Sequence, residues 1–540
     1  MAELSRKSRF WFAALCAFLL TAAACTSAAS DGSLSSSPTV SSAVLEDSDD
    51  DSAGSTAVAS GSDSEESGSG SGSDDETATT GQPGIFVAPH DGVGGGPADF
   101  ATINEAIAWA KPGDEILLRP GVHLISGEVV FDKQIILRSE VPGEAIITTS
   151  LEPPTSQRND TLPVGFLAIR DEAADGSEVH DIRFQNIGHS FTAQAIYVER
   201  ARNVLIKGNS FQHTGARAII VFDTEDVRVT ENQFLNPYLP DDEPNRISAR
   251  LEGRTTSESY MDYGVMVYGS TRPMIDHNYF FGVFHQALSF KEGSTDASAI
   301  ANTFEGFAFT ALFVGQNKPG GNSFQRFGAP DSAVESGTIT VSQNVFRTVT
   351  DEYGDYLPGI ALRLSYFSAN VTLDSNVVES AFIPLQVDCN AGGAPDCASG
   401  SLTISNNVLN GQVVDREGDS YFYDQSGCVN LRDVSGADLT VSLSSNTIVG
   451  CGLAYELAGL SFDLTNNIFA ETNLAAEGSP QTASGNVAWN SSGNFGDDVQ
   501  EIDPSFAGQV SSPPAPSVSL VGAATGIGVF ASSAGGASSR

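Results

Sequence analysis

The residues best placed to do chemistry in this chain are few, because its charge is lopsided. Lys and Arg number 27 against 67 Asp and Glu, a formal net charge of −40 over 540 residues. A cation on such a background stands out where strand parity turns it away from an apolar face. In Ala287-Leu288-Ser289-Phe290-Lys291, alternation sets Leu288 and Phe290 on one side and Ala287, Ser289 and Lys291 on the other, with His285 just ahead. The runs Ile360-Ala361-Leu362-Arg363-Leu364 and Val429-Asn430-Leu431-Arg432 turn Arg363 and Arg432 outward in the same way. An outward cationic strip suits an anionic sugar polymer such as a polyuronate. β-Elimination from a uronate needs a base near C5 and a positive group that neutralises the carboxylate. Lys291 is the candidate base, with Arg363 and His285 assisting, and Ser289, Arg432 and Tyr268 are the candidate substrate contacts. No metal ligands are assigned, although Ca²⁺ would serve such chemistry.

Something must hold these residues in register, and an internal repeat does so. The pattern apolar-x-apolar-x-x-Asn-x-apolar runs through Val204, Ile206, Asn209 and Phe211, and again through Val227, Val229, Asn232 and Phe234. It returns at Asn278, Asn302, Asn344, Asn376, Asn407, Asn446 and Asn467. Apolar residues two apart face one side of a short strand. Asn tolerates left-handed backbone geometry and so suits a bend between strands. A coil of about 22 residues cannot bury its inner face alone, but stacked coils share one core. Asn side chains at equivalent bends can then form an amide ladder. Counted from the Asn, a further strand keeps register at Ile219 and Val221, Leu288 and Phe290, and Leu312 and Val314.

This repeat, with the opening Phe100-Ala101-Thr102-Ile103 through Pro112-Gly113-Asp114 to Pro120-Gly121, resembles the right-handed parallel β-helix family of the pectin-lyase-like fold. The expected fold is all-β: a right-handed parallel β-helix solenoid over residues 84–510 with an N-terminal capping helix. Residues 511–540 form a C-terminal cap or flexible tail. Thr102-Ile103-Asn104-Glu105 is a capping box, and Phe100, Ile103, Ile107 and Ala110 recur at helical spacing before Pro112-Gly113 ends the helix. Strands are expected at 115–118, 129–137 and 145–149. The resemblance implies that substrate lies along an outer groove of one strand stack. It also implies a lyase-type or glycoside hydrolase activity if the chain is an enzyme. The chain departs from such enzymes in having no Arg near Leu312, no Gly-His-Gly turn, and an Asp276-His277 pair without its companion Arg motif. His277 therefore reads as a turn residue.

The N-terminus reads as an address. Arg6, Lys7 and Arg9 precede the apolar run from Phe10 to Leu20, and Ala22-Ala23-Ala24-Cys25 resembles a bacterial lipobox. Residues 1–24 are the expected signal peptide and Cys25 the expected lipidation site, so that the only membrane contact is the lipid anchor. Residues 25–83 form a disordered, acidic, Ser/Gly-rich tether, with 12 acidic and no basic residues between Asp31 and Pro83. The expected location is the cell envelope or surface, with secretion if the lipobox is unused. The chain is expected to be a monomer. Its charge excludes phosphate-directed nucleic-acid binding. Four cysteines remain after export, allowing three connectivities. Cys389–Cys397 closes a short loop and Cys428–Cys451 lies one coil apart, and these pairings are favoured over buried thiols.

The segments 236–262, 347–358 and 388–427 interrupt the coil spacing and carry aromatic residues that could stack on sugars or pack down on the solenoid. The partner expected from all this is a polysaccharide or another glycan. A polyuronate lyase is the leading reading, and a non-catalytic carbohydrate-binding, adhesion or structural surface protein is the alternative.

Overall fold

A computed structural model describes residues 84–501, apart from 91–96, 150–163, 186, 188–192, 213, 215–216, 236–260, 262, 284, 308, 316–335, 350–358, 382, 388–397, 412–426, 432–437, 452, 457–459, 471, 473–479, 492–494 and 496–498. The expected signal peptide, tether, Cys25, Cys389, Cys397, Arg432 and C-terminal tail lie outside the described residues.

Each coil lays down three short strands, and every strand pairs in parallel with its equivalents on the neighbouring coils. The described residues form a first sheet of 14 strands, a second of 14 and a third of 11. The chain visits them in that order. The strand Leu205–Lys207 lies in the first sheet, Ser210–Gln212 in the second and Arg217–Phe222 in the third. One apolar core runs through the interior. Its aromatic column is Phe184, Phe211, Phe234, Phe280, Phe304 and Phe346, stacked nearly parallel with centroids 5.0, 4.9, 4.5, 4.9 and 4.8 Å apart. Each of these rings is fully buried, worth about 1.5–3 kcal/mol apiece.

The Asn ladder holds the bend between the first and second sheets. Asn209, Asn232, Asn278, Asn302, Asn344, Asn376, Asn407, Asn446 and Asn467 each donate through Nδ2 to the Oδ1 of the next, at 2.9–3.2 Å, and Asn486 ends the chain of amides. Each backbone N–H donates to the same oxygen, as Asn302 does to Asn344 at 2.9 Å. Every ladder Asn is buried. Left-handed geometry, expected of the Asn, falls instead on the residue before it. Gly208, Glu231, His277, Ala301, Gln343, Ser375, Asn406, Ser445, Asn466 and Gly485 all have φ between 55° and 68°. The side-chain amide therefore does the holding, and the residue ahead carries the strain, about 1–2 kcal/mol for a non-glycine. His277 is one of these turn residues.

A helix, α1 (Ile103–Trp109), closes the start of the solenoid with the expected capping box: Thr102 Oγ1 accepts from the Glu105 N–H, and Glu105 accepts from the Thr102 N–H at 3.1 Å. Ile103, Ile107 and Ala110 are buried beneath it, and Lys133 Nζ donates to the Ile107 and Ala110 carbonyls at 3.1 and 3.2 Å, satisfying the helix end. The strand expected at 129–137 is two strands, Val129–Phe131 and Ile136–Ser139, in different sheets. The chain turns a corner between them, where Lys133 makes these helix-capping contacts. Cys428 and Cys451 form a disulfide between adjacent coils, with Cα atoms 5.6 Å apart. Gly411 packs against both sulfurs, where a Cβ would come within 2.9 Å of one.

Candidate functional site

The outer face of the third sheet carries the candidate residues. Strand register arranges it in columns that run along the solenoid. One column is Tyr197, Ile220, Met266, Ser289, Phe313, Arg363, Gln386 and Asn430. The next is Arg170, Glu199, Phe222, Tyr268 and Lys291. Lys291 and Arg363 meet about the ring between their coils. Lys291 Nζ lies 4.9 Å and Arg363 Cζ 5.7 Å from the Phe313 centroid. Such contacts add roughly 0.5–2 kcal/mol each.

The exposure expected on this face is not there. Ser289 and Phe313 are fully buried, Tyr268 is 1% exposed and Lys291 5%, whereas Arg363 is half-buried. Tyr197, Ile220, Phe222, Met266 and Tyr268 form a second apolar cluster, separate from the interior core, with Tyr263 packed against it. Parity therefore placed these side chains on the correct face without making them accessible. Ser289 donates its hydroxyl to Met266 Sδ at 3.0 Å. Burial pushes the Tyr268 phenol well above its ordinary range, and does the same to Tyr197, helped there by the neighbouring Glu199 carboxylate. Glu199 pairs with Arg200 at 2.9 Å, and Arg170 is held by two bonds to Glu128, at 2.8 and 2.6 Å.

His285 stands elsewhere. It precedes the strand Gln286–Lys291. At roughly 3.3 Å per residue, the six residues to Lys291 span about 20 Å. The expected trio thus separates into Lys291 with Arg363 at one edge of the sheet and His285 at the other. A single sugar carbon cannot meet both groups. At its own edge, His285 Nδ1 lies 3.0 Å from the Tyr263 hydroxyl. Its ring stacks on Tyr263 at 5.0 Å and tilts against Phe309 at 5.0 Å. Arg217 Cζ sits 5.5 Å from the Tyr263 ring centroid.

Strict alternation fails at this edge. Ala287 and Leu288 both belong to the interior core, as do Ala195 with Ile196, Ala218 with Ile219, Ala311 with Leu312, and Ala361 with Leu362. Ala287 therefore points inward, and Gln286 takes the outward place. Gly264 occupies the same position on its coil, and a Cβ there would meet the Ala287 carbonyl at 2.4 Å and the Phe280 ring at 2.8 Å. Only a small side chain fits where two successive residues face the core. The recurring Ala/Gly was the readable signal for this kink, and the Asn-plus-eleven position was the signal for Phe313. Tyr263, Arg217 and Gln286 had no comparable signal.

A separate polar cluster lies on the outer face of the first sheet. Asp276 is 3% exposed and accepts from Arg228 Nε at 2.9 Å and Nη2 at 2.8 Å, and from the Thr230 hydroxyl at 3.1 Å, with His277 Nδ1 at 2.8 Å. Burial works against its charge, but the bonds from Arg228, His277 and Thr230 outweigh burial and hold the carboxyl below its ordinary range. Among the described residues, no group of three or more His, Cys, Asp or Glu converges as cation ligands would, so no ligand set for Ca²⁺ is found there.

Three stacked parallel sheets, a continuous Asn ladder and an interior Phe column define a right-handed parallel β-helix. Residues 168–409 match the family described as right handed beta helix region. No curated protein sequence matches the chain. Among solved structures, the alginate lyase from Paenibacillus sp. str. FPU-7 is similar at 14% identity and TM-score 0.38, over 67% of this chain and 93% of that one. The A-module of the Azotobacter vinelandii mannuronan C-5 epimerase AlgE6 is similar at 14% identity and TM-score 0.41, over 71% and 93%. The Streptococcus pneumoniae surface adhesin PfbA is similar at 14% identity and TM-score 0.41, over 72% and 86%. At these identities the likeness is one of chain winding, and it assigns no residue a role.

Proposed function

We propose that this chain is an exported, lipid-anchored, monomeric β-helix protein that acts on or binds extracellular polysaccharide, and that the polymer is a polyuronate. The observation that carries this reading is the pair Lys291 and Arg363 gathered about Phe313, on one sheet face of a chain of net charge −40. Two cations set close together on an acidic protein attract a carboxylate, and Arg363 keeps part of its surface in solvent. In the catalytic form, Arg363 neutralises the uronate carboxylate, Lys291 acts as the base that takes the C5 proton, the C5–H electron pair forms the C4–C5 double bond as the C4–O bond breaks, and the departing oxygen takes a proton from water.

A second reading has its own support. The burial of Lys291, Ser289 and Tyr268 favours a non-catalytic glycan-binding, adhesion or structural protein, because a base must reach its proton. One assay separates the two. The protein is mixed with alginate, pectate and glycosaminoglycans, with Ca²⁺ or with EDTA, and ultraviolet absorbance of unsaturated uronate is followed. A rise that Lys291→Ala abolishes supports elimination. No rise, with binding retained on a glycan array, selects the non-catalytic reading. The absence of both a rise and binding overturns the polysaccharide reading.

A further inference from the structure

The outer face of the first sheet changes character along the solenoid. Its strands Thr338–Ser342, Phe367–Asp374, Ala398–Ser405 and Asp438–Ser444 lie on four successive coils. Alternation holds here: Ile339 and Val341, like Val441 and Leu443, are buried in the core, and the residues between them are half-buried or exposed. Register sets the outward residues in three columns. The central one is Thr340, Thr372, Thr403 and Ser442. Thr338, Asn370, Ser401 and Thr440 flank it on one side, and Ser342, Asp374, Ser405 and Ser444 on the other. All but Asn370 and Asp374 carry a hydroxyl.

The fold alone does not ask for this. Equivalent positions on earlier coils hold Leu205 and Lys207, Arg228 and Thr230, and Met274 and Asp276, which differ in size and in charge. The later grid is also regular in both directions. Coils stack about 4.8 Å apart, and outward residues on one strand stand about 6.6 Å apart. The interior rings leading up to this region lie 4–6° from parallel, so neighbouring coils superpose with little rotation. The Asn ladder carries the same stacking on through Asn344, Asn376, Asn407 and Asn446. Ser401 donates to Asn370 Oδ1 at 2.8 Å and Ser405 to Asp374 Oδ1 at 2.6 Å, which fixes the flanking side chains along their columns. The Thr side chains are stiff at χ1.

A rigid, nearly neutral grid of hydroxyls suits a partner that itself repeats. One hydroxyl holds little by itself, because water competes for it, but groups fixed at matching intervals engage together. Area selects among repeating partners. At one residue per cell the grid covers roughly 400 Å², against about 800 Å² per partner in a stable protein interface, so a second copy of this chain is too large an occupant. Hexagonal ice exposes prism faces on which oxygens repeat along two perpendicular directions, at intervals close to the two spacings of the grid. We infer that this outer face of the first sheet is an ice-binding surface, whose hydroxyls and Thr methyls hold water at lattice spacing and join the protein to a prism face through that water. The inference is independent of the glycan reading and uses a different sheet from Lys291 and Arg363.

The test uses the full chain just below freezing. Adsorption of fluorescently labelled protein to a single ice crystal and inhibition of ice recrystallisation are measured for the parent and three variants. Thr403→Tyr and Ser442→Lys disturb the grid by bulk and by charge. Met274→Tyr lies in line with the central column on an earlier coil, outside the grid. The expected result is that the parent adsorbs to prism faces and stops recrystallisation, and that Met274→Tyr matches it. Thr403→Tyr and Ser442→Lys should melt as the parent does, by circular dichroism, yet need at least roughly tenfold more protein for the same inhibition. If the parent does not adsorb to ice, or if both grid variants adsorb as well as the parent, the inference is overturned. Sedimentation of the parent as a dimer that Thr403→Tyr splits would give the face to a second copy and overturn it equally.

Discussion

Removing one rung from the middle of the Asn ladder tests whether the ladder or the apolar core carries the stability of the coil. Asn302 takes part in four side-chain hydrogen bonds. It donates to the Ile275 carbonyl at 2.8 Å and to Asn344 Oδ1 at 3.0 Å, and it accepts from the Asn278 N–H and Nδ2, both at 3.0 Å. Asn302→Ala removes all four. It takes the acceptor from the buried Asn278 N–H and a donor from the Ile275 carbonyl. At about 1–3 kcal/mol for each group stranded away from water, the expected loss is about 2–6 kcal/mol. That is a large share of the roughly 5–15 kcal/mol that holds a typical domain. The control is Thr340→Ala, on the outer face of the next coil in the first sheet. Surface changes of that kind usually lie within about 0.5 kcal/mol. Urea unfolding followed by far-ultraviolet circular dichroism reads both. A loss below about 1 kcal/mol for Asn302→Ala, or one equal to the control, would refute the ladder argument and leave the coils held by packing alone.

Three further outcomes follow from the same geometry. Gly315 adopts φ +111°, and a Cβ there would lie 1.6 Å from the Ser365 carbonyl oxygen, so Gly315→Ala should yield no folded protein by circular dichroism. The Cys428–Cys451 disulfide closes a 23-residue separation, worth about 3 kcal/mol by the chain-entropy relation. The Cys428→Ser/Cys451→Ser double variant should unfold at correspondingly lower denaturant, and an unchanged midpoint would show that the link adds nothing. Asp276 has a depressed pKa, so its contribution is present above its ordinary value of 3.8 and is lost as pH falls through the lower folded-state value. Acid unfolding of Asp276→Asn, followed by fluorescence, should therefore show a shallower dependence below about pH 4 than the parent.

The repeat made the fold legible because a solenoid writes the same physical demand once per coil. An inward pair of apolar residues, a bend and another inward pair must recur wherever the chain stacks on itself, and the Asn marked each bend even where coil length changed. The capping box of α1 was equally local and equally plain. The site was less legible for two reasons. Parity assigns a side chain to a face, but burial of that face depends on the rest of the chain, and no periodicity in Gln286–Lys291 foretold that Lys291 and Ser289 would be covered. Parity also assumes an unbroken pleat. The kink at Ala287 turned Ala287 into the interior core and left Gln286 the outward place. His285 and Lys291, neighbours on paper, stand at opposite edges because a strand is an extended object.

Successive ladder residues are separated by 23, 46, 24, 42, 32, 31, 39, 21 and 19 positions, yet the amide-to-amide distance stays within 2.9–3.2 Å. More than twofold variation in contour length leaves the bend between the first and second sheets untouched. The two-strand segment that holds each Asn has no room for extra residues, so every insertion is diverted to the other two corners. The ladder acts as a spine with a fixed pitch that holds across spacings of 19 to 46 positions. Across these unequal spacings the third sheet keeps a continuous order of 11 strands among the described residues. A chain built this way can acquire a new specificity on its flank without renegotiating its core.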